Sequence, residues 1–259
     1  MGDVLELENN LHLEWEVLQK PFIIRNFFSE EQRLNLLLEE RLVSNVGTSS
    51  IMTSKRCSNE TRKFNFLEYL SYMNETTDKN PWYAANWHNE DILTAVLKNI
   101  DLPGLFYCWL EKLPNDIKPN WLWLFLGPRE SSTALHIDVM MSSAWNILFS
   151  GTKRWRFLSP SESIKQNILD KSFSSQFSKD RYIIEAVQHP GDIIYTPSGW
   201  AHEVVNTDPT ISLTGNFINE SNYRYVKHYL KGRNKFDWIK VIEKLETIFI
   251  SEINQGVFK

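Results

Sequence analysis

The chain has 259 residues, a formal net charge of −4 and 42% hydrophobic residues, enough to bury a sizeable core as one large domain or a domain with an appendage. That charge excludes a broad nucleic-acid footprint, and only two cysteines argue against a disulfide scaffold and for a reducing compartment, cytoplasmic or nuclear. The longest purely apolar run, Trp121 to Leu126, is too short to span a bilayer, and MGDVLELENN lacks the apolar stretch of a signal peptide, so neither a membrane span nor a leader is expected.

In chain order, Lys20 to Phe28 (KPFIIRNFF) predicts an opening strand. Ser29 followed by Gln32 has the capping-box pattern, and Leu34, Leu37, Leu38 and Leu42 repeat at helical spacing, which predicts an amphipathic helix over residues 29–42. Residues 44–62 are polar and predict a mobile loop. Phe64–Met73, Asp91–Asn99 and Leu105–Leu113 predict short helices, the last two broken apart by Pro103-Gly104. Trp121–Leu126 predicts a buried strand. From Leu135 to Phe217 short apolar runs alternate with turn chemistry. Leu135–Asp138, Ser143–Phe149, Lys153–Leu158, Ile193–Thr196, His202–Val205 and Ile211–Phe217 read as strands. Gly151-Thr152, His189-Pro190-Gly191-Asp192, Pro197 to Trp200 and Asn206 to Pro209 read as turns. That rhythm predicts a mainly β fold with flanking helices, a double-sheet jelly roll or barrel. After Phe217 the period changes. Asn222–Lys231 and Lys235–Ile250 predict helices, with Trp238, Val241, Ile242 and Leu245 on one stripe. The stripe is expected to pack on the parent barrel; a homodimer through these C-terminal helices is the sharper alternative.

The chemistry concentrates in TALHIDVMMSSAWNILFSGTK, residues 133–153. Residues two apart in a strand point the same way, so His136 and Asp138 share a face. His202, beyond a tight turn, is placed to join them at the mouth of a barrel. Two imidazoles and a carboxylate on one face are the ligand set of a non-haem Fe(II) centre, which leaves positions open for co-substrate and dioxygen. An isolated H-x-D is a weak signal, but this pair sits among apolar strand residues, where an unpaired carboxylate is costly. Lys153 shares its strand face with Trp155 and Phe157, so it points inward and suits an anion, while Arg154 and Arg156 point out. Asn146 suits the same cavity, or a hydrogen bond to a neighbouring strand. Trp145, Trp155 and Trp200 are candidates to wall the cavity; for Trp145 and Trp155 the ordinary core aromatic is the favoured reading. Cys57 and Cys108 lack metal-type spacing, and His12, His88, His189 and His228 show no partner pattern.

The runs GPRESSTALHID, SAWNILFSGTKRWRFLSP, PGDIIYTPSGWAHEVVNTDPTISLTGNF and PWYAANWH resemble the JmjC branch of the cupin-fold 2-oxoglutarate oxygenases. Within it the pattern is most similar to the small lysyl hydroxylases, one group acting on splicing factors and another on a translation release factor. KPFIIRNFF resembles the opening strand of that domain. The resemblance implies an N-terminal strand and helix region over 1–80 packing on the core, a JmjC double-stranded β-helix over 81–220 and C-terminal helices over 221–259. It implies His136, Asp138 and His202 as iron ligands and Lys153 and Thr133 at the distal carboxylate of 2-oxoglutarate. Asn146, Thr214 and Asn216 match positions near that co-substrate, with Tyr83 a looser match. The expected function is an Fe(II)- and 2-oxoglutarate-dependent dioxygenase that hydroxylates a protein side chain, lysine favoured, with release of succinate and carbon dioxide. The expected partner is a protein substrate such as a translation or RNA-processing factor. The alternatives are an N-methyl-lysine demethylase, a tRNA-base hydroxylase, for which a basic patch is expected, and an inactive cupin serving as a binding module, against which the intact ligand set speaks.

Overall fold

Residues along each strand alternate between two environments, and that alternation decides what enters the space between two facing sheets. The computed structural model describes residues 2–8, 18–32, 49–56, 58–98, 100–165 and 183–254. In chain order the elements are β1 (Gly2–Asp3), β2 (Leu5–Leu7), β3 (Phe22–Ile24), β4 (Ser50–Ser54), β5 (Thr61–Asn65), α1 (Phe66–Glu75), β6 (Ala84–Trp87), α2 (Glu90–Leu97), β7 (Leu122–Gly127) and β8 (Ser132–His136). They continue with β9 (Ser143–Ser150), β10 (Lys153–Leu158), α3 (Pro160–Lys165), β11 (Ile183–Gln188), β12 (Ile193–Thr196), β13 (Ala201–Asn206), β14 (Thr210–Phe217), α4 (Tyr223–Gly232) and α5 (Phe236–Asn254).

The smaller sheet runs β1-β11-β10-β13-β8, the larger β2-β3-β12-β9-β14-β7-β6, and β4 and β5 form a separate hairpin. Segments before residue 81 enter both sheets: β1 lies parallel to β11, and β3 pairs antiparallel with β12. On β12, Ile193 and Tyr195 face outward into the largest apolar cluster, while Ile194 faces the smaller sheet. The outward face of the larger sheet (Ile147, Phe149, Leu213, Leu124 and Leu126) is covered by Phe66, Tyr69 and Met73 of α1 and Ile92, Leu93 and Val96 of α2. Asn65 caps α1 through a capping box with Glu68, and Tyr69 ties the helix to the sheet by donating its hydroxyl to the Leu126 carbonyl at 2.7 Å. Between the sheets, Ile23, Trp155, Phe157, Ala186, Trp200 and Val204 close one end.

Several expectations are corrected by local chemistry. The opening strand is confined to Phe22–Ile24, because the chain turns at Asn26, which adopts a left-handed φ of 49°. The described part of 44–62 holds β4 and the start of β5 rather than a loop alone; its alternation is carried by Ile51 and Thr53 inward against serines and Met52 outward, a pattern that reads as merely polar. Leu105–Leu113 forms two separate 3-10 turns, Gly104–Phe106 and Trp109–Lys112, instead of one helix. Alternate residues of β7 are only partly buried, because one of its faces lines a cavity. Strand β11 adds an element that the pattern left unread. At Ser29 the capping box is present: its N–H donates to Gln32 Oε1 at 2.8 Å, and the Gln32 N–H donates to Ser29 Oγ at 3.2 Å. The remainder of that predicted helix, residues 44–48, Cys57 and His12 lie outside the described residues.

The C-terminal stripe packs inward. Ile239, Ile242, Leu245 and Phe249 of α5 are buried against Trp109, Tyr223, Val226 and Leu230, with Trp238 and Val241 partly buried beside them. Lys227 of α4 bonds Glu246 of α5 at 2.9 Å across the helix pair.

Candidate active site

β8 and β13 are antiparallel neighbours, and their register sets His136 directly opposite His202. The ring centroids are 4.2 Å apart. β8 ends at His136, so Asp138 stands just beyond the strand, yet its extended backbone (φ −59°, ψ 156°) keeps the two-residue alternation and returns the carboxylate to the His136 side. One ligand atom from each of His136, Asp138 and His202 lies within 4.8 Å of the others, and Asp138 Oδ2 is 4.0 Å from His202 Nε2. Past Asp138 the chain makes a 3-10 turn in which Met140 and Met141 both take left-handed φ values, 55° and 61°. Such values are uncommon for residues with a side chain and cost on the order of 1 kcal/mol or more each.

The imidazoles are oriented by their own backbone. His136 Nδ1 lies 2.9 Å from the Ala134 carbonyl and His202 Nδ1 3.2 Å from the Trp200 carbonyl. A carbonyl only accepts, so each Nδ1 carries the proton and each Nε2 keeps a lone pair for the centre. His202 is buried, and burial, with the neighbouring His136, lowers its pKa to about 4 against the opposite pull of Asp138. It is therefore a neutral donor at physiological pH. Asp138 Oδ2 is buried with no hydrogen-bond partner. Two imidazole nitrogens and one orphaned carboxylate oxygen within 4.8 Å fit a divalent cation.

These three residues line one cavity of about 330 Å³ between the sheets, and Tyr83, Thr133, Asn146, Lys153, Thr214 and Asn216 line it too. Lys153 is 2% exposed, donates to Ser212 Oγ at 2.6 Å, and sits 5.5 Å from the Phe125 ring. Burial alone lowers its pKa to about 7. The cavity thus holds an amine with no carboxylate partner among the described residues. Asn146 donates to Thr214 Oγ1 at 2.7 Å, across the register that pairs them, and leaves its Oδ1 unbonded and buried. Asn216 donates to Ser142 Oγ at 2.9 Å. Tyr83 is hydrogen-bonded to Asn206 and Thr133, and burial pushes its phenol well above the usual range.

Ser212 is the residue that motif reading missed. Ser212, Thr214 and Asn216 alternate along β14 with Ile211, Leu213, Gly215 and Phe217. That polar period of two in a fully β segment was the signal. The aromatics are redistributed: Trp145 and Trp155 line the cavity, whereas Trp200 lies in the apolar cluster beyond it. A Cβ on Gly215 would fall 2.3 Å from the Trp145 ring, so the glycine makes room for the indole. Trp145 and Asn216 also line a neighbouring cavity of about 370 Å³.

Residues 123–217 match the family model described as JmjC domain, hydroxylase. The chain carries a JmjC domain. Its two facing sheets are the double-stranded β-helix, or cupin, architecture of that family. JmjC oxygenases use Fe(II) and 2-oxoglutarate, and His136, Asp138 and His202 fit the iron site. The chain is 29% identical over 228 residues to the lysine-specific demethylase JMJ21 of Arabidopsis thaliana, covering 80% of this chain and 24% of that protein. It is 27% identical over 198 residues to the 2-oxoglutarate and iron-dependent oxygenase JMJD4 of Mus musculus, covering 67% and 46%. It is 30% identical over 198 residues to the bifunctional arginine demethylase and lysyl-hydroxylase psr-1 of Caenorhabditis elegans, covering 66% and 50%. The chain spans half or less of the length of each of these three relatives.

Proposed function

We propose that this chain is an Fe(II)- and 2-oxoglutarate-dependent dioxygenase that hydroxylates a protein side chain, with lysine the favoured target and succinate and carbon dioxide released. The observation that carries the reading is the convergence of two imidazoles and an orphaned carboxylate in the same cavity as a buried, carboxylate-free lysine. His136, Asp138 and His202 hold the iron, which when bound supplies the activation of dioxygen that oxidises a C–H bond. Lys153 takes the distal carboxylate of 2-oxoglutarate in a charge-assisted hydrogen bond. Ser212 fixes Nζ, and the Phe125 ring below it excludes water. Thr133 and Tyr83 form a hydrogen-bonded rim on the same side. Asn146 Nδ2 gives one hydrogen to Thr214 Oγ1 and has a second to offer a carboxylate of the co-substrate, while the bond from Asn216 to Ser142 Oγ holds that amide in place beside it. Trp123, Trp155 and Val204 keep the site dry. A translation or RNA-processing factor is the proposed class of protein substrate.

Incubation of the purified chain with Fe(II), 2-oxoglutarate and a cell lysate should give succinate and a gain of one oxygen on a mapped lysine. Absence of succinate under iron-replete conditions rejects the oxygenase reading. A second reading, removal of an N-methyl group, is supported by one specific likeness: the relative matched over 80% of this chain is named a lysine-specific demethylase. Formaldehyde release without a stable hydroxylated product would select it.

A further inference from the structure

β8, which carries Thr133 and His136, is the terminal strand of the smaller sheet: it pairs with β13 on one side and with no strand on the other among the described residues. Its other side faces a cleft of about 160 Å³ whose opposite wall is the rim formed by Ser54, Lys55, Arg56 and Asn80. This cleft adjoins the catalytic cavity, with Tyr83, Ala85 and Thr133 lining both. The far wall is positive. Lys55 lies 4.8 Å from the Trp82 ring, with no carboxylate partner among the described residues, and Arg56 reaches Glu203 at only 3.6 Å. The rim is held in place by the paired backbones of Ser54 and Tyr83, bonded in both directions at 2.9 and 3.0 Å.

An unpaired strand edge is a template for an incoming extended chain, whose main-chain groups bond the edge while alternate side chains enter pockets. Resting on the hydroxylase reading above, we infer that the protein substrate docks as an added strand along β8. Its target side chain drops over His136, and a carboxylate side chain enters the Lys55–Arg56 cleft. The cleft borders Ser132 to Ala134, two to four residues back from His136. At about 3.3 Å per residue the acidic residue stands roughly two to five positions from the target on one side.

The test uses the full chain with Fe(II) and 2-oxoglutarate, and a set of 15-residue peptides with a central lysine in which one glutamate is walked through every other position. Hydroxylation read by mass should peak, at least tenfold above background, for glutamate at roughly two to five positions on a single side. A matching walk of backbone N-methylation should alternate, with every second position inhibiting, as a strand edge requires. Lys55→Glu should invert the preference in favour of the peptide with lysine at the peak position. That ratio is taken within one preparation, so poor folding cannot imitate it. Hydroxylation that is indifferent to glutamate position, insensitive to N-methylation or unchanged in preference by Lys55→Glu overturns the docking mode while leaving the oxygenase intact. So does succinate formation with no peptide hydroxylated. Loss of succinate as well removes the hydroxylase reading, and the docking mode with it.

Discussion

The two sheets of this molecule divide the work between them. Every His, Asp and Lys that lines the cavity belongs to the smaller sheet or leaves its edge strand: His136 and Asp138 from β8, Lys153 from β10 and His202 from β13. The larger sheet contributes neutral groups, with Asn146 from β9, Thr214 and Asn216 from β14, and Trp123 and Phe125 from β7. Their outer faces differ as well. Behind the smaller sheet Arg156 joins Glu203 at 2.9 Å and Glu185 at 3.3 Å, a charged ladder in which Glu203 is itself buried. Behind the larger sheet lies the principal apolar cluster under α1 and α2. Apolar burial supplies most of a fold's stability, whereas an ion pair drawn out of water gives up much of its attraction to desolvation. Hence the larger sheet is the anchor, and the smaller one is free to carry residues that oppose folding, such as a buried amine.

Substitutions on the two sheets should therefore separate chemistry from stability. The largest effect is expected at the metal ligands. His136→Ala or Asp138→Ala should abolish iron retention and turnover while the thermal transition persists; iron analysis and circular dichroism check both, and a variant turning over at the parent rate would refute the ligand assignment. Lys153→Met comes next. It should raise the 2-oxoglutarate requirement on the order of a hundredfold, for loss of about 3 kcal/mol of buried ion contact. The same variant should melt at a higher temperature without ligand, because the amine's cost of burial disappears. Leu213→Ala, on the fully buried back of the larger sheet, should lower unfolding stability by about 3 kcal/mol in urea titration, with the co-substrate requirement little changed. Asn146→Ala should weaken 2-oxoglutarate several-fold, about 1 kcal/mol, by binding titration.

The smallest effect is one of pH. Without an anion beside it Lys153 titrates near 7, whereas the unfolded chain holds that proton up to the ordinary lysine value of 10.5. Between those values the unfolded state binds more protons, so this group makes the ligand-free fold more stable as pH rises, and the trend ends below about 7. A bound dicarboxylate restores the ammonium. Binding should then take up close to one proton at pH 8.5 and almost none at pH 6, with affinity falling as pH rises through that range. Calorimetry in buffers of different ionisation enthalpy reads the proton count, and Lys153→Met should erase it.

Much of this division was legible in the residues. Lys153–Leu158 is a strand with the predicted bounds, its inward face is Lys153, Trp155 and Phe157, and all nine residues singled out for the site line one cavity. Glycine turns and H-x-D alternation are local signals, and they survive folding because strand parity is rigid. What escaped depends on partners distant in sequence. Ser212 acquires meaning only when β14 sits opposite β10 and its hydroxyl meets Lys153. The β4–β5 hairpin reads as polar because its buried face is just Ile51, Thr53 and Phe64. Trp145 stands in a strand run and Trp200 at the end of a turn, and only the packing of the two sheets decides which of them borders the cavity.

The position of Trp145, seated against a residue with no side chain, has a further outcome for what the enzyme can accommodate. Its indole acts as a partition between two adjoining chambers of about 330 and 370 Å³. Shaving that ring away would join them into a single hollow of roughly twice the room, turning a compartment sized for a small oxoacid into one able to admit elongated analogues.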